Sequence, residues 1–408
     1  MKDQYKSGLE ELAKERSLYP QESLLKIKEG EGGLLFGIPK EIALQERRVA
    51  LTPEAVALLV NNGQEVCIES GAGETAKFSD KEYSEAGAKI VYSAKEVYEA
   101  RIILKIEPPT QDEINFMKPG STVFSAIQIG SQNVEYIKAL NKQKITAIGF
   151  ELLEDKVEGK PVIRAMSEIA GGASLLIAAE YLSGTNSGKG MLLGGVTGVP
   201  PTKVVILGAG TVAEYAARAA IGLGAEIQIF DNHLYKLRRI KHALGHQIFT
   251  STFGNATLAE SLTTADVVIG AVRMEKGKVR CFVTDEMVAN MKKDSVIIDV
   301  SIDQGGCFET SQITTHERPI YRKHDVIHYC VPNLTSRFAG TASTAISNIF
   351  TPILRQMAEI GGVEEMIFTH HWFMKGVYTY KGSLTNADIA KKFNLKHTDL
   401  ELLMAARL

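Results

Sequence analysis

The segment Gly208-Ala209-Gly210-Thr211-Val212-Ala213 directly follows the apolar run VVIL and precedes the helical stretch AEYAARAAIGLG. Glycines at 208 and 210 let the chain turn tightly and let a pyrophosphate approach the start of the following helix. There, unpaired N–H groups and the helix dipole favour an anion. Ala213 stands where the dinucleotide fingerprint has its third glycine, a place that asks only for close packing of helix on strand. Asp231 closes the next strand, 23 residues after Gly208. A carboxylate there accepts hydrogen bonds from the adenosine ribose hydroxyls and repels a 2′-phosphate, so the expected cofactor is NAD. Lys236 and Arg238 are the nearby cations that would admit NADP. A glycine turn alone is weak evidence; strand, turn, helix and acid in this order point to dinucleotide binding.

Two more residues have types and places suited to reaction chemistry. Lys105 ends the apolar run RIILK, so its ammonium is expected to emerge at a strand's carboxyl end. A lysine there needs an anionic partner or a lowered pKa. Asp303, in SIDQGG, follows another apolar strand and would exchange protons with a reacting water if burial raises its pKa. Asp299 ends that same strand and reads as a structural cap. The four cysteines, at 67, 281, 307 and 330, lie far apart without a CxxC pair, so they read as buried thiols and no metal site is expected.

Such residues work only where strands deliver them to a shared edge. From Leu34 short apolar runs alternate with helical periodicity: LLFGI, PEAVALLVNNG, EVCIES, AKEVYEARIILKI, STVFSAI and TAIGFELL. A second series follows with KVVILGAG, AEIQIFD, ADVVIGAV and DSVIIDVSID. Alternation at this pace indicates parallel βαβ units. The fold class is therefore α/β, with two doubly wound Rossmann-like lobes and a cleft between them. Ala-rich SEIAGGASLLIAAEYLSGT links the lobes, and STAISNIFTPILRQMAEIG returns the chain to the first. The expected division is 34–163 plus 340–408 as the substrate lobe and 164–339 as the NAD lobe, with 1–33 as a helical extension. The tail after the returning helix reads as mostly short and polar.

A chain of 408 residues exceeds what one core usually serves. Its net charge of −2 and pI of about 6.5 offer no field for a polyanion, so a small ligand is expected rather than nucleic acid. No run approaches the ~18 consecutive apolar residues of a membrane span, and the first twenty residues lack a secretion signal's apolar core, so a cytoplasmic protein without a membrane partner is expected.

The segments GIPKEIALQERRVALTPEAV, ESGAGE, ILKIEPP, MSEIAG, GVPPTKVVILGAGT, VIIDVSIDQGGCFE and HYCVPN together resemble the alanine dehydrogenase family, in order from about Leu34 to the C-terminus. The same core is similar to the NAD-binding part of the proton-translocating transhydrogenase alpha chain. The resemblance implies NAD-dependent oxidative deamination of L-alanine to pyruvate and ammonia. It implies that Arg48 pairs with the substrate carboxylate and Lys105 holds the substrate oxygen, and that Asp303 sits beside the nicotinamide. Ser167 and Glu168 would help hold the cofactor diphosphate, and Ile302, Asn333 and Leu334 would line the nicotinamide pocket. Homologues with this layout assemble as hexamers or dimers through the linking helix, so a homo-oligomer is expected.

The chain departs from that pattern at Gln128, which stands where the family has its second catalytic group, a histidine. Glutamine forms hydrogen bonds but does not exchange a proton near neutral pH. The transhydrogenase core also lacks the histidine, and has a Gln-Asn pair much like Gln132-Asn133. Arg164 and Arg337 fall near the expected cleft, where alanine dehydrogenases usually show small neutral residues. The alternatives are therefore a transhydrogenase-like NAD(H)-binding component, a dehydrogenase of another small amino or 2-oxo acid, or an NAD-sensing protein without chemistry.

Overall fold

The computed structural model describes residues 33–405 except 156, 158, 187 and 273–281; the helix expected near the N-terminus and Cys281 lie outside them. The first half of the chain supplies β1 (Leu35–Ile38), β2 (Glu65–Glu69), β3 (Lys89–Val91), β4 (Ile102–Leu104), β5 (Thr122–Ser125) and β6 (Thr146–Gly149). The second supplies β7 (Lys203–Leu207), β8 (Glu226–Phe230), β9 (Phe249–Ser251), β10 (Val267–Gly270), β11 (Val296–Asp299), β12 (Ile320–Lys323) and β13 (Val326–Tyr329). Near the C-terminus come β14 (Val377–Tyr380) and β15 (Ser383–Leu384). The helices that matter for the site are α1 (Pro53–Asn61), α2 (Gln111–Phe116), α3 (Pro161–Leu182), α4 (Thr211–Gly222) and α5 (Ala339–Glu359).

Among the described residues the strands form two sheets, in the orders β15-β14-β6-β5-β4-β1-β2-β3 and β12-β13-β11-β10-β7-β8-β9. In the first, the chain winds outward from β1 through β2 to β3, then returns to pair β4 against the other side of β1. In the second, β7 leads outward through β8 to β9, and β10 returns to the far side of β7. Each reversal leaves a crevice at the strands' carboxyl ends, between β1 and β4 and between β7 and β10, which is where ligands of such sheets bind. The doubly wound α/β fold expected from the alternation is the fold observed. Strands β4, β5, β6, β10 and β11 are buried along their whole length, because helices cover both sheet faces.

The C-terminal tail departs from the expectation. It contributes β14 and β15, an antiparallel hairpin added beside β6. The two-residue turn between Tyr380 and Ser383 has φ of 46° at Lys381 and 90° at Gly382, the left-handed pair that matches strand twist in a tight hairpin. The segment AKEVYEARIILKI also divides, into a short helical turn at Ala94–Val97 and then β4.

Helix α3 is long and apolar enough to cross a membrane by length and composition alone, with a mean hydropathy of 1.4. In the structure it instead packs tightly on α4, where a Cβ at Gly171 would lie 2.4 Å from the Val212 carbonyl oxygen and 2.7 Å from the Tyr215 Cβ. Gly171→Ala should therefore force the helices apart and lower stability by about 1–3 kcal/mol, read as a fall in the denaturant midpoint. An unchanged midpoint would mean the two helices separate freely.

Candidate active site

The segment RRVALTP crosses the carboxyl edge of the first sheet, and α5 with the turn before it holds it in place. The Arg47 N–H donates to Ser336 Oγ at 2.8 Å, the Val49 N–H to Ser343 Oγ at 2.9 Å and the Thr52 N–H to Ser347 Oγ at 3.1 Å. Thr52 then caps α1, which Pro53 begins. Arg48 is thus presented on a fixed backbone. An opening of about 520 Å³ beside this segment is lined by Arg47, Thr75, Lys77, Ser336, Arg337 and Gly340.

Arg48 is buried and forks onto Glu46, with Nε 2.7 Å from Oε1 and Nη2 2.5 Å from Oε2. Its Nη1 donates to Thr335 Oγ1 at 3.3 Å and approaches Met166 Sδ of α3 at 3.5 Å. Burial would raise the Glu46 carboxyl, but the hydrogen bonds and charge of Arg48 outweigh it and keep Glu46 ionised. Asn333 bridges the lobes. Its side-chain amide donates to Glu46 Oε2 at 2.8 Å, and its backbone N–H donates to Asp303 Oδ1 at 2.9 Å. Asn333 adopts the left-handed conformation, φ 53°, which a short polar side chain tolerates. Although Asp303 opens to the cleft, burial by surrounding protein raises its carboxyl, against the Asn333 hydrogen bond and the Arg48 charge. Ile302 and Leu334 are buried beside this pair.

Lys105 ends its strand beside the anionic partners that such a lysine needs. Its ammonium does not emerge into the cleft: the side chain is 1% exposed, with Nζ 2.9 Å from Glu113 Oε1 of α2 and 3.1 Å from Glu41 Oε2 after β1. Burial opposes its charge, but the two carboxylates more than restore it. The Tyr98 hydroxyl donates to the same Glu113 oxygen at 2.6 Å, and the Ile106 N–H to Glu41 Oε1 at 2.6 Å. Lys105 therefore knits β1, β4 and α2 together beneath the site.

The residue that does reach the cleft from this strand end is Glu107, to which the sequence reading assigned no role. Its Oε1 stands 3.6 Å from Arg48 Nη2, and its Oε2 accepts from the side-chain amide of Gln128. Burial and the neighbouring Glu46 push the Glu107 carboxyl up to about 7. The signal available in the sequence was a carboxylate two residues past a lysine-ended strand, braked by Pro108-Pro109. Gln128 itself is exposed with φ 45°, and its N–H donates to Glu151 Oε1 at 2.9 Å.

In the second lobe, Gly208 has φ 104°, and a Cβ there would lie 2.4 Å from the Ala271 carbonyl oxygen across the β7/β10 crevice. Gly210 precedes α4 in an extended conformation and no side chain caps the helix, whose first residues Thr211 and Val212 are half-buried. Asp231 accepts from the Ala209 N–H at 2.9 Å with Oδ2, and from the His233 N–H at 2.8 Å with Oδ1. Arg239, unremarked in the sequence, donates to the Ala209 carbonyl at 3.0 Å and to Glu214 at 2.9 Å, tying the next helix to the glycine turn. Lys236 is half-buried and Arg238 exposed on that helix. Ser167 is half-buried on α3, one residue from the Met166 that touches Arg48.

The two unusual arginines are both paired. Arg164 is 69% exposed and holds Glu168 at 3.1 Å, while Arg337 holds Glu180 at 2.6 Å. Asp299 caps the turn after β11 through the Ser301 N–H, as expected of it. Cys67, Cys307 and Cys330 are buried and in no disulfide, and no metal-ligating cluster occurs among the described residues.

Family models described as alanine dehydrogenase/PNT, N-terminal domain and C-terminal domain match residues 37–170 and 174–387. The chain is 38% identical over 373 residues to an alanine dehydrogenase of Mycolicibacterium smegmatis, covering 91% of this chain and 100% of that one. It is 37% identical over 371 residues to an alanine dehydrogenase of Bacillus subtilis, covering 90% and 97%. A solved L-alanine dehydrogenase superposes with a TM-score of 0.82 at 35% identity, covering 88% of this chain and 99% of that one. A transhydrogenase from Sinorhizobium meliloti superposes with a TM-score of 0.74 at 25% identity, covering 87% and 99%.

Proposed function

Because the chain belongs to the alanine dehydrogenase/PNT family, we propose that it catalyses the reversible, NAD-dependent oxidative deamination of L-alanine to pyruvate and ammonia. The observation that carries this reading is the unbroken run of hydrogen bonds from Arg48 through Glu46 and Asn333 to Asp303. It joins a guanidinium suited to a carboxylate with a carboxyl whose proton affinity is raised, at the carboxyl edges of both sheets.

The second lobe fits NAD: Gly208 leaves room where any side chain would collide, α4 begins uncapped, and Asp231 offers an acceptor. When bound, the nicotinamide supplies the hydride acceptor. Ser167, Gly208, Gly210, Thr211, Val212, Asp231 and Lys236 would hold the cofactor's adenosine and pyrophosphate, and Ile302, Asp303, Asn333 and Leu334 its nicotinamide end. Arg48 binds the substrate carboxylate on the guanidinium edge facing Glu107, the edge that Glu46 leaves open. Asp303 takes the proton from the water that adds to the imine carbon and returns it as ammonia leaves. Closing of the lobes excludes bulk water from this path.

In this reading residues 34–163 with 340–408 form the substrate lobe and 164–339 the NAD lobe, supported by the membership of the two sheets. The protein works in the cytoplasm on a small amino or 2-oxo acid, without nucleic acid or membrane. It forms a homo-oligomer, a hexamer or a dimer, through α3, whose Leu176 is 57% exposed.

Purified protein supplied with NAD and L-alanine at alkaline pH should form NADH. Asp303→Asn should lower kcat about 10²–10⁴-fold while leaving NADH affinity intact. Gln128, and the likeness to the transhydrogenase, favour a second reading: a component that exchanges hydride only with a separate NADP-binding protein. Silence with alanine, followed by turnover when such a partner is added, would select that reading.

A further inference from the structure

Resting on the dehydrogenase reading, we propose that Glu107 is the second proton-exchanging group of the reaction, facing the substrate nitrogen, and that Gln128 is its positioning residue. Gln128 occupies the place where a proton-exchanging side chain is expected, yet its amide does not ionise near neutral pH. Its Nε2 donates to Glu107 Oε2, so the amide fixes the rotamer of a carboxyl that does exchange protons. Gln128 is itself pinned in its left-handed conformation by Glu151, which accepts the N–H groups of Ile127 at 2.8 Å and Gln128 at 2.9 Å.

Position supports the assignment. Glu107 follows β4 at the β1/β4 crevice of the first sheet. At 3.6 Å its Oε1 is too far from Arg48 Nη2 for a direct hydrogen bond but close enough to share a bound carboxylate's neighbourhood. The charged groups around it are Glu46 and Arg48 from the RRVALTP segment and its lead-in, Glu41 after β1, and Asp303 across the cleft by way of Asn333. Lys105 is already engaged by Glu41 and Glu113. Arg48 and Glu46 cancel, so an incoming substrate carboxylate favours a protonated Glu107. Burial and Glu46 already bring that carboxyl to about 7.

In the direction of deamination, the Glu107 carboxylate takes a proton from the substrate ammonium. The α-hydrogen then leaves with its electron pair for the nicotinamide, and the nitrogen lone pair becomes the second bond of the C=N. Water adds to that carbon and gives its proton to Asp303. Asp303 returns that proton to the nitrogen, the C–N bond breaks as ammonia leaves, and the hydroxyl gives its proton to Asp303 as the C=O forms. Glu107 and Asp303 each then return one proton to solvent. The amino acid is oxidised by two electrons, and NAD, the oxidant of the proposed reaction, is reduced by two.

Glu107→Gln keeps the shape and the partner of Gln128 but cannot exchange a proton. The variant should lose kcat about 100-fold or more with NADH affinity changed less than about threefold, and the rise of deamination rate with pH through about 7 should flatten. Glu107→Ala should recover rate on addition of acetate, which a purely structural role would not allow. Unchanged kcat and pH profile in Glu107→Gln, or a Glu107→Ala variant insensitive to acetate, would overturn the proposal. A readout independent of turnover separates this from failure of the parent reading: calorimetry of pyruvate binding to the NADH-loaded protein in buffers of different ionisation enthalpy. Proton uptake above pH 7 in the wild type but not in Glu107→Gln supports the assignment even if alanine is not turned over. Equal uptake in both overturns it, and no pyruvate binding at all overturns both the assignment and the substrate.

Discussion

Lys105→Met is expected to destabilise the substrate lobe severely, and not only to remove activity. The ammonium sits between Glu41 and Glu113 at 1% exposure, and removing it leaves two buried carboxyls without their cation. Breaking one side of a buried ionic cluster costs about 3–5 kcal/mol, a large part of a domain's net stability. The pH dependence has a definite sign. With the lysine present, the Glu113 carboxyl lies below its ordinary value: burial would raise it, but Lys105 prevails. Without the lysine, burial raises both carboxyls above their unfolded values, so the folded variant prefers them protonated. Its stability deficit should be smallest near pH 4–5 and grow as pH rises through the raised values. Urea unfolding of variant and wild type at pH 5 and pH 8 checks this; an equal midpoint at pH 8 would show that the cluster carries no stability.

Gly208→Ala should cost the protein its cofactor without unfolding the substrate lobe. At φ 104° an alanine is strained, and its Cβ would press within 2.4 Å of the Ala271 carbonyl oxygen. Backbone on both sides must move, which displaces the start of α4 from β10. A loss of about 100-fold in NADH affinity corresponds to about 2.8 kcal/mol, within the range of one strained residue plus a misplaced anion site. NADH fluorescence titration measures it, and affinity within threefold of wild type would contradict the role given to the turn.

The parts of the fold that repeat along the chain were legible, because the βαβ alternation and the glycine turn are local patterns. Asp231, Gly208 and Gly210 could be placed for the same reason: strand, turn and helix are contiguous. The partners of Lys105 could not be named, because the end of a strand does not reveal which way the next two side chains face. Only the meeting of β1, β4 and α2, sixty or so residues apart in the case of Glu41, shows that 105 turns inward and 107 outward. Glu46 went unnoticed although it touches Arg48, since an acidic residue two before an arginine reads equally well as a surface pair. Asn333 could be named from the family resemblance, but its span from Glu46 to Asp303 depends on how two separate lobes face each other. The hairpin at β14–β15 was missed because Lys381-Gly382 is a less familiar tight turn than Asn-Gly.

That hairpin bears on how the protein is made. The strands of the second sheet lie together between residues 203 and 329, so a ribosome delivers them as one uninterrupted stretch. The other sheet begins at Leu35 yet receives its last two strands at 377–384, and the serines that tether the Arg48 backbone come from 336–347. The lobe synthesised first must therefore wait, with the edge of β6 uncovered, until nearly all of the chain has emerged. Its later-made neighbour can finish ahead of it, which makes the nascent N-terminal half the natural client of a chaperone.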